Sequence, residues 1–338
     1  MNERLEKWIA AVPRLRVTVV GDACIDAYWD VDMTQSELSR EVPQFPYPVT
    51  AERYSLGAGA NVAANVSALG AGQIAFVGTV GTDWRAAILH DLFTDAHISS
   101  DYLLPVDGRV TPAYCKPILH GISPVTQEAP RIDFGNRAPL ADAFDRALCD
   151  RLDDAAAQSD VLIVCDQWVN GTVSDRIRAR LTEWGQKMPV LVDSRDHLTA
   201  FSGAVIKPNE VEAARALGLP PVNSGDIPAM CAMARQLEQK TGNAVLLTLG
   251  AHGALWCEHG ECTHRAGFSV PEPLDFVGAG DAFLASFSLA YALHTVPADA
   301  LTFACLTSAI TIRKLGATGT ASPDELRAAA AMYLGDVQ

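Results

Sequence analysis

Asp275-Phe276-Val277-Gly278-Ala279-Gly280-Asp281-Ala282-Phe283 is the stretch that decides how the rest of this 338-residue chain is read. Small residues precede an acid, and a long apolar run, Ala282 to Leu293, follows. That order predicts a tight turn feeding the N-terminus of a buried helix. Gly278 and Gly280 let the backbone approach a ligand, and the unpaired N–H groups of the first helical turn, with the helix dipole, favour an anion there. An Asp at the same end can accept a proton from a hydroxyl held beside the anion. The stretch also reads, more simply, as a Gly-rich helix start with Asp281 as a first-turn acid favoured by the dipole.

Composition narrows the classes. The chain is 49% hydrophobic and 20% charged, with a net charge of −14. That balance predicts a globular protein and argues against a nucleic-acid or anionic-membrane partner, both of which need a basic footprint. Met1 to Arg16 reads as a short amphipathic helix with charges throughout, not as a secretory leader. With eight scattered Cys and no apolar run long enough to span a bilayer, the expectation is a cytoplasmic protein with reduced thiols.

Upstream, apolar runs alternate with helical patterns. The runs are Val17–Val20, Ile74–Val77, Val161–Cys165, Val190–Val192, Val205–Ile206 and Ala244–Leu249. Between them, Val62–Leu69, Trp84–Asp95, Ala141–Gln158, Val173–Gln186, Glu210–Leu217 and Ile227–Lys240 read as helices. Strands apolar throughout and alternating with helices predict an α/β fold, a parallel sheet covered on both faces, with ligands at the strands' C-terminal ends. Two regions break the rhythm, 28–56 (with Pro43, Pro46 and Pro48) and 106–133. They read as antiparallel strands outside the main sheet. A single domain over 1–338 with an inserted β lid is therefore expected.

Further motifs fall in order along the chain. Gly21-Asp22-x-x-x-Asp26 ends the first run; Asp26, past the strand end, suits two vicinal hydroxyls, whereas Asp22 suits a turn cap. Gly57-Ala58-Gly59-Ala60-Asn61 is a second Gly-rich strand-to-helix turn, without the third Gly of a dinucleotide fingerprint. Lys207-Pro208-Asn209-Glu210-Val211-Glu212 puts Asn209 and Glu212 on one face of a helix start. Such a pair suits Mg²⁺ held through water, and equally suits an N-cap with first-turn acids. The chain has no Gly-Lys dipeptide, which excludes a P-loop, and no Gly-x-Ser-x-Gly elbow.

Together these motifs resemble those of the ribokinase (PfkB-type) carbohydrate kinases over almost the whole chain. Asp275-x-x-Gly278-Ala279-Gly280-Asp281 is similar to their C-terminal signature. The Gly57-to-Asn61 turn, followed by Leu69-Gly70 and Gly78-x-x-Gly81-x-Asp83, is similar to their N-terminal one. The resemblance implies a ribokinase-like three-layer fold with a mostly parallel central sheet and a small β lid. It implies ATP-dependent phosphoryl transfer to a sugar or sugar-phosphate hydroxyl. Asp281 would be the base, with Gly278, Ala279 and Gly280 as the anion hole. Asp26, Gly57, Gly59 and Asn61 would face the sugar. Asn209 and Glu212 would order Mg²⁺, and Thr248, Gly250, Gly253, Asp275 and Gly316 would border the nucleotide. A monovalent cation and a homodimer through the β lid are further properties it carries.

Some segments resemble the heptose-7-phosphate kinases in particular: Asp26-Ala27-Tyr28-Trp29, Arg131-Ile132-Asp133-Phe134 and Lys314-Leu315-Gly316. Lys116 and Arg131 lie where those enzymes also carry cations. Phe276 and Val277 stand where the wider family has Thr nearby, Ala27 where the subgroup has Arg, and Gln167–Gly171 lacks the subgroup's Lys. A neutral sugar or nucleoside acceptor, or a non-catalytic sugar- or nucleotide-binding regulator, therefore stays open beside a heptose 7-phosphate. Cys257, His259, Cys262 and His264 raise one rival, a zinc site on a hairpin turning at His259-Gly260, without the usual zinc spacing.

Overall fold

The computed structural model describes residues 1–316 and 318–335; Ala317, in the turn singled out near Gly316, lies outside them. In chain order the strands are β1 (Arg16–Gly21), β2 (Ala23–Asp32), β3 (Val49–Ala58), β4 (Gln73–Val80), β5 (Leu103–Pro105), β6 (Ala113–His120) and β7 (Thr126–Glu128). Then come β8 (Ile132–Phe134), β9 (Val161–Asp166), β10 (Val190–Ser194), β11 (Val205–Ile206), β12 (Val245–Thr248), β13 (Ala254–Glu258) and β14 (Glu261–Arg265). The helices are α1 (Asn2–Ala11), α2 (Gly59–Ala68), α3 (Trp84–Asp95), α4 (Asp142–Ala156) and α5 (Asp175–Gly185). They continue as α6 (Glu210–Leu217), α7 (Ile227–Thr241), α8 (Ala279–Ala292), α9 (Pro297–Thr311) and α10 (Pro323–Tyr333).

The apolar runs build one sheet in the order β14-β13-β12-β11-β10-β9-β1-β4-β5. Its pairs are parallel from β5 to β12, and the β13–β14 hairpin closes one edge antiparallel. Side chains alternate between faces, so Val161 and Ile163 join the core beneath α2, α8 and α9, while Leu162 and Val164 join the one beneath α4 and α5. A third cluster packs α6 and α7 on β11 to β13. From Ala282 to Ala290, α8 is buried all round, as a helix apolar on every face must be.

Five strands form the second sheet, β3-β2-β6-β7 with β8 also on β6. It begins at Ala23, earlier than the expected 28, because only Asp22 separates β2 from β1. It is not wholly antiparallel either. β2 runs parallel to β6, which is reached through the long α2–β4–α3–β5 crossover and not through a hairpin. Between β2 and β3 the chain leaves the sheet: Pro43, Pro46 and Pro48 remove donors, and residues 36–48 form an exposed loop. The junction from β3 into α2 is Ala58, held at φ 47, a conformation L-residues with a Cβ adopt at a cost.

Candidate active site

The helix start forms as its residues dictate. Gly278 is left-handed (φ 78), and a Cβ there would lie 2.8 Å from Asn61 Nδ2, so glycine serves both the turn and the contact. The Ala279 N–H donates back to the Phe276 carbonyl at 3.2 Å, and the Ala282 N–H donates to Gly278 O at 3.0 Å. Gly280 and Asp281 N–H, the second and third of the helix, have no partner among the described residues. The N–H groups left open at this helix start are therefore those of Gly280 and Asp281, while that of Ala279 is engaged.

Asp281 is half-buried at this end and accepts from Asn61 Nδ2 at 2.7 Å. Asn61 is itself oriented from one turn further along α2. Asn65 Nδ2 donates to Asn61 O at 2.9 Å and to its Oδ1 at 3.3 Å, which turns the Asn61 amide nitrogen toward Asp281. Burial pushes the Asp281 carboxyl up to about 7, against the pull of the Asn61 bond; nearby Asp193 adds to the rise and Lys207 opposes it.

On one side of Asp281 a cavity of about 790 Å³ opens at the C-terminal ends of β10 to β12. Ala279, Gly280 and Asp281 line it together with Asn209, Glu212, Thr248, Gly250 and Gly253. Asn209 and Glu212 form a reciprocal capping box: Asn209 Oδ1 accepts from the Val211 and Glu212 N–H groups, and Glu212 Oε2 accepts from Asn209 N–H. The cap and the cavity wall are thus the same pair. Gly316 and Asp275 lie beside the turn, where the Asp275 carboxylate accepts from Val277 N–H at 3.0 Å and Gly316 N–H at 2.9 Å. The missing Thr hydroxyls leave Phe276, two-thirds exposed, on the cavity wall.

Two residues here were not singled out from sequence. Lys207 Nζ pairs with Asp193 at 2.9 Å, both lining the cavity and both nearly buried. Lys207 Nζ would lie 4.0 Å from a Cβ on Gly280, so a cation flanks this helix start. The signal was present: both are the polar residues that end apolar parallel strands.

On the other side lies the lid. Asp26 Oδ2 accepts from Lys116 Nζ at 2.8 Å, and Lys116 also donates to the Tyr28 hydroxyl at 3.1 Å. Asp26 Oδ1 is buried without a partner. A Cβ at position 57 would sit 2.5 Å from that oxygen, so Gly57 keeps its approach open. Asp22 serves structure instead, accepting from Gln167, Trp168 and Thr172 N–H at 2.7–2.9 Å; burial raises it to about 6. Arg131 forks onto Asp133 at 2.6 and 2.7 Å and lies 4.2 Å over the Tyr114 ring. Arg109 instead straps the Ala138 and Asn170 carbonyls.

The zinc alternative finds no support. His264 Nε2 donates to the His252 carbonyl, and among the described residues no group of three or more His, Cys, Asp or Glu is placed to hold a metal. Among the described residues, no helix is long and apolar enough to cross a membrane.

A nine-stranded, mostly parallel sheet with a smaller sheet over its C-terminal edge defines an α/β protein of the ribokinase-like class. It superposes on ribokinase of Arabidopsis thaliana with ribose and ATP at a TM-score of 0.70, with 19% identity and coverage of 94% of this chain and 98% of that one. Phosphofructokinase-2 of Escherichia coli in complex with substrates and products gives a TM-score of 0.72 at 17% identity, covering 95% and 100%. The pfkB family carbohydrate kinase model matches residues 14–325, and the chain belongs to that family. A D-beta-D-heptose 7-phosphate kinase of Bordetella bronchiseptica is 31% identical over 314 residues, 90% of this chain and 93% of that protein. The bifunctional protein HldE of Gluconobacter oxydans is 32% identical over 327 residues, 92% of this chain. The match spans 63% of that protein, less than two thirds of its length.

Proposed function

We propose that the protein transfers the terminal phosphoryl group of ATP to a hydroxyl of a phosphorylated sugar, a heptose 7-phosphate in the first place. The observation that carries this reading is the position of Asp281, on the wall of the 790 Å³ cavity, held by the Asn61 amide and close enough to Asp26 of the smaller sheet to feel its charge. Donor and acceptor would meet at that carboxylate.

Asp26, through its unpartnered Oδ1, and Asn61 orient the acceptor sugar. Asp281 takes the hydroxyl proton, and a carboxylate raised to about 7 is matched to that task near neutral pH. Gly280 and Asp281 N–H groups, with Lys207, stabilise charge on the transferring phosphoryl group in a loose transition state, where positioning and charge carry most of the rate. Glu212 Oε1, the carboxylate oxygen left outside the capping box, fits hydrated Mg²⁺, which when bound would neutralise phosphate charge; Asn209, whose Oδ1 already accepts both cap bonds, would position Glu212. Phosphofructokinase-2 of Escherichia coli is known in complex with potassium; by likeness, the Asp275 turn is where a monovalent cation would act.

A phosphorylated acceptor brings about two negative charges that need Arg or Lys. Tyr114 lies in the field of both Arg131 and Arg195, and the Arg195 guanidinium has no partner among the described residues. That pair supports a phosphate-bearing sugar over a neutral one. Leu38, Val42, Phe45 and Tyr47, exposed on the lid loop, support a homodimer through the lid. Eight free cysteines fit a reducing, cytoplasmic setting.

An ADP-release screen over heptose 7-phosphate, hexose phosphates and free sugars tests the reading. Fastest turnover is expected with the heptose phosphate. Better turnover of free sugars than of every phosphate overturns the acceptor, and no ADP from any of them would favour a non-catalytic binder.

A further inference from the structure

The cysteines that failed as a zinc site sit in a different arrangement. The β13–β14 hairpin turns on His259 and Gly260, both with positive φ (53 and 74), the signature of a two-residue type I′ turn. Glu258 and Glu261 flank the turn as the hydrogen-bonded pair, which makes Cys257 and Cys262 the next, non-hydrogen-bonded pair. At such positions Cα atoms lie about 4.5 Å apart, inside the range a disulfide spans. The two sulfurs are already 3.0 Å apart. Cys231 of α7 approaches from above: the Cys262 thiol points toward its carbonyl at 3.7 Å.

We propose that Cys257 and Cys262 form a dithiol site for two-electron oxidation by a peroxide, with Cys262 the sulfur oxidised first. Cys262 is half-buried on the edge strand, whereas Cys257 is fully buried. Burial, the facing Cys262 sulfur and Glu238 all push the Cys257 thiol up, so it is the poorer first nucleophile. Attack of the Cys262 thiolate on the peroxide O–O bond gives a Cys262 sulfenic acid and releases hydroxide, which takes up a proton to become water. The Cys257 sulfur then attacks Cys262 sulfur, loses its proton and expels the sulfenic oxygen as a second water. The two thiols lose two electrons and two protons, and one hydrogen peroxide becomes two waters. The register already opposes the sulfurs, so the bond closes without moving either strand. This site is independent of the kinase reading.

The test is to treat the reduced, folded full-length chain with stoichiometric hydrogen peroxide, block free thiols and cleave after Glu258 and Glu261, between the two cysteines. Mass spectrometry should find the Cys257 and Cys262 fragments joined, reversibly by dithiothreitol, and joined equally in Cys231→Ser. In Cys257→Ser, a dimedone adduct should accumulate on Cys262. A thermal melt confirms that each variant is folded before oxidation. A Cys231–Cys262 linkage in the parent protein, or overoxidation of Cys262 without any linkage, would overturn the proposal.

Discussion

The side-chain amide of Asn61 donates to Oδ2 of Asp281 across 2.7 Å, joining residues 220 positions apart in the chain. Asn61 comes from the turn that leaves the lid, Asp281 from the turn that opens the apolar helix α8. The bond favours the ionised carboxylate while burial disfavours it, so the proposed base is held near the point of protonation.

Replacing that base isolates its chemistry. Asp281→Asn is expected to lower kcat at least about a hundredfold, the low end for loss of a general base. ATP should still bind, measured by calorimetry on the folded variant. Near-parental turnover would remove Asp281 from its role.

The pH dependence follows from the sign of the shift. The Asp281 carboxyl is raised from 3.8 unfolded to about 7 folded. The folded state therefore holds its proton more tightly, and the group's stabilising contribution, complete below 3.8, is lost as pH rises through 7. Turnover should fall as pH drops below about 7. Asp281→Asn should melt higher than the parent at pH 8, with the gap closing toward pH 4. Asn61→Ala, which removes the donor, should move the acid limb of kcat upward.

The buried pair in the lid gives a stability test. Lys116 and Asp26 are each almost wholly buried. Lys116→Met leaves Asp26 charged and unpaired, at a cost of about 3–5 kcal/mol. The double variant Asp26→Asn with Lys116→Met should recover much of that in urea unfolding. If both variants lose the same amount, the two side chains do not stabilise one another.

Arg131 reports on the acceptor. Arg131→Ala should raise KM for a sugar phosphate on the order of tenfold, as for loss of one charge-assisted contact. KM for ATP should stay unchanged. A parallel rise in both constants would place Arg131 in folding of the lid and not in recognition.

Metal dependence separates the two ions considered. Excess EDTA should abolish turnover and Mg²⁺ should restore it, while a zinc-selective chelator in excess Mg²⁺ should change nothing. Glu212→Gln should raise the Mg²⁺ needed for half-maximal rate on the order of tenfold. An unchanged Mg²⁺ requirement would leave Glu212 only as a cap.

Much of this architecture is written locally. Apolar strands such as Val161–Cys165 and the Gly-rich turns at 57–61 and 278–281 carry their structure in short-range pattern, and they fell where expected. The hairpin at His259-Gly260 was legible for the same reason. Lid topology was not, because β2 pairs with β6 across about 90 residues, and no local pattern distinguishes a parallel partner from an antiparallel one. Lys207 and Asp193 were passed over because single polar residues at strand ends look like solvated termini until neighbouring strands bring them within 2.9 Å. That the Ala279 N–H is engaged by the Phe276 carbonyl depends on how the turn winds, which composition alone does not specify.

Ala58, the last residue of a lid strand, joins it to the helix that carries Asn61, and it does so in a backbone conformation that an alanine resists. Thr318 clamps the same strand just upstream, bonding Ser55 and Leu56. The smaller sheet and the proposed base are thereby tied through one stiff joint. If a sugar seated against Asp26 shifts β3, Asn61 would move with it, and the aim of the proposed base would depend on whether an acceptor is present.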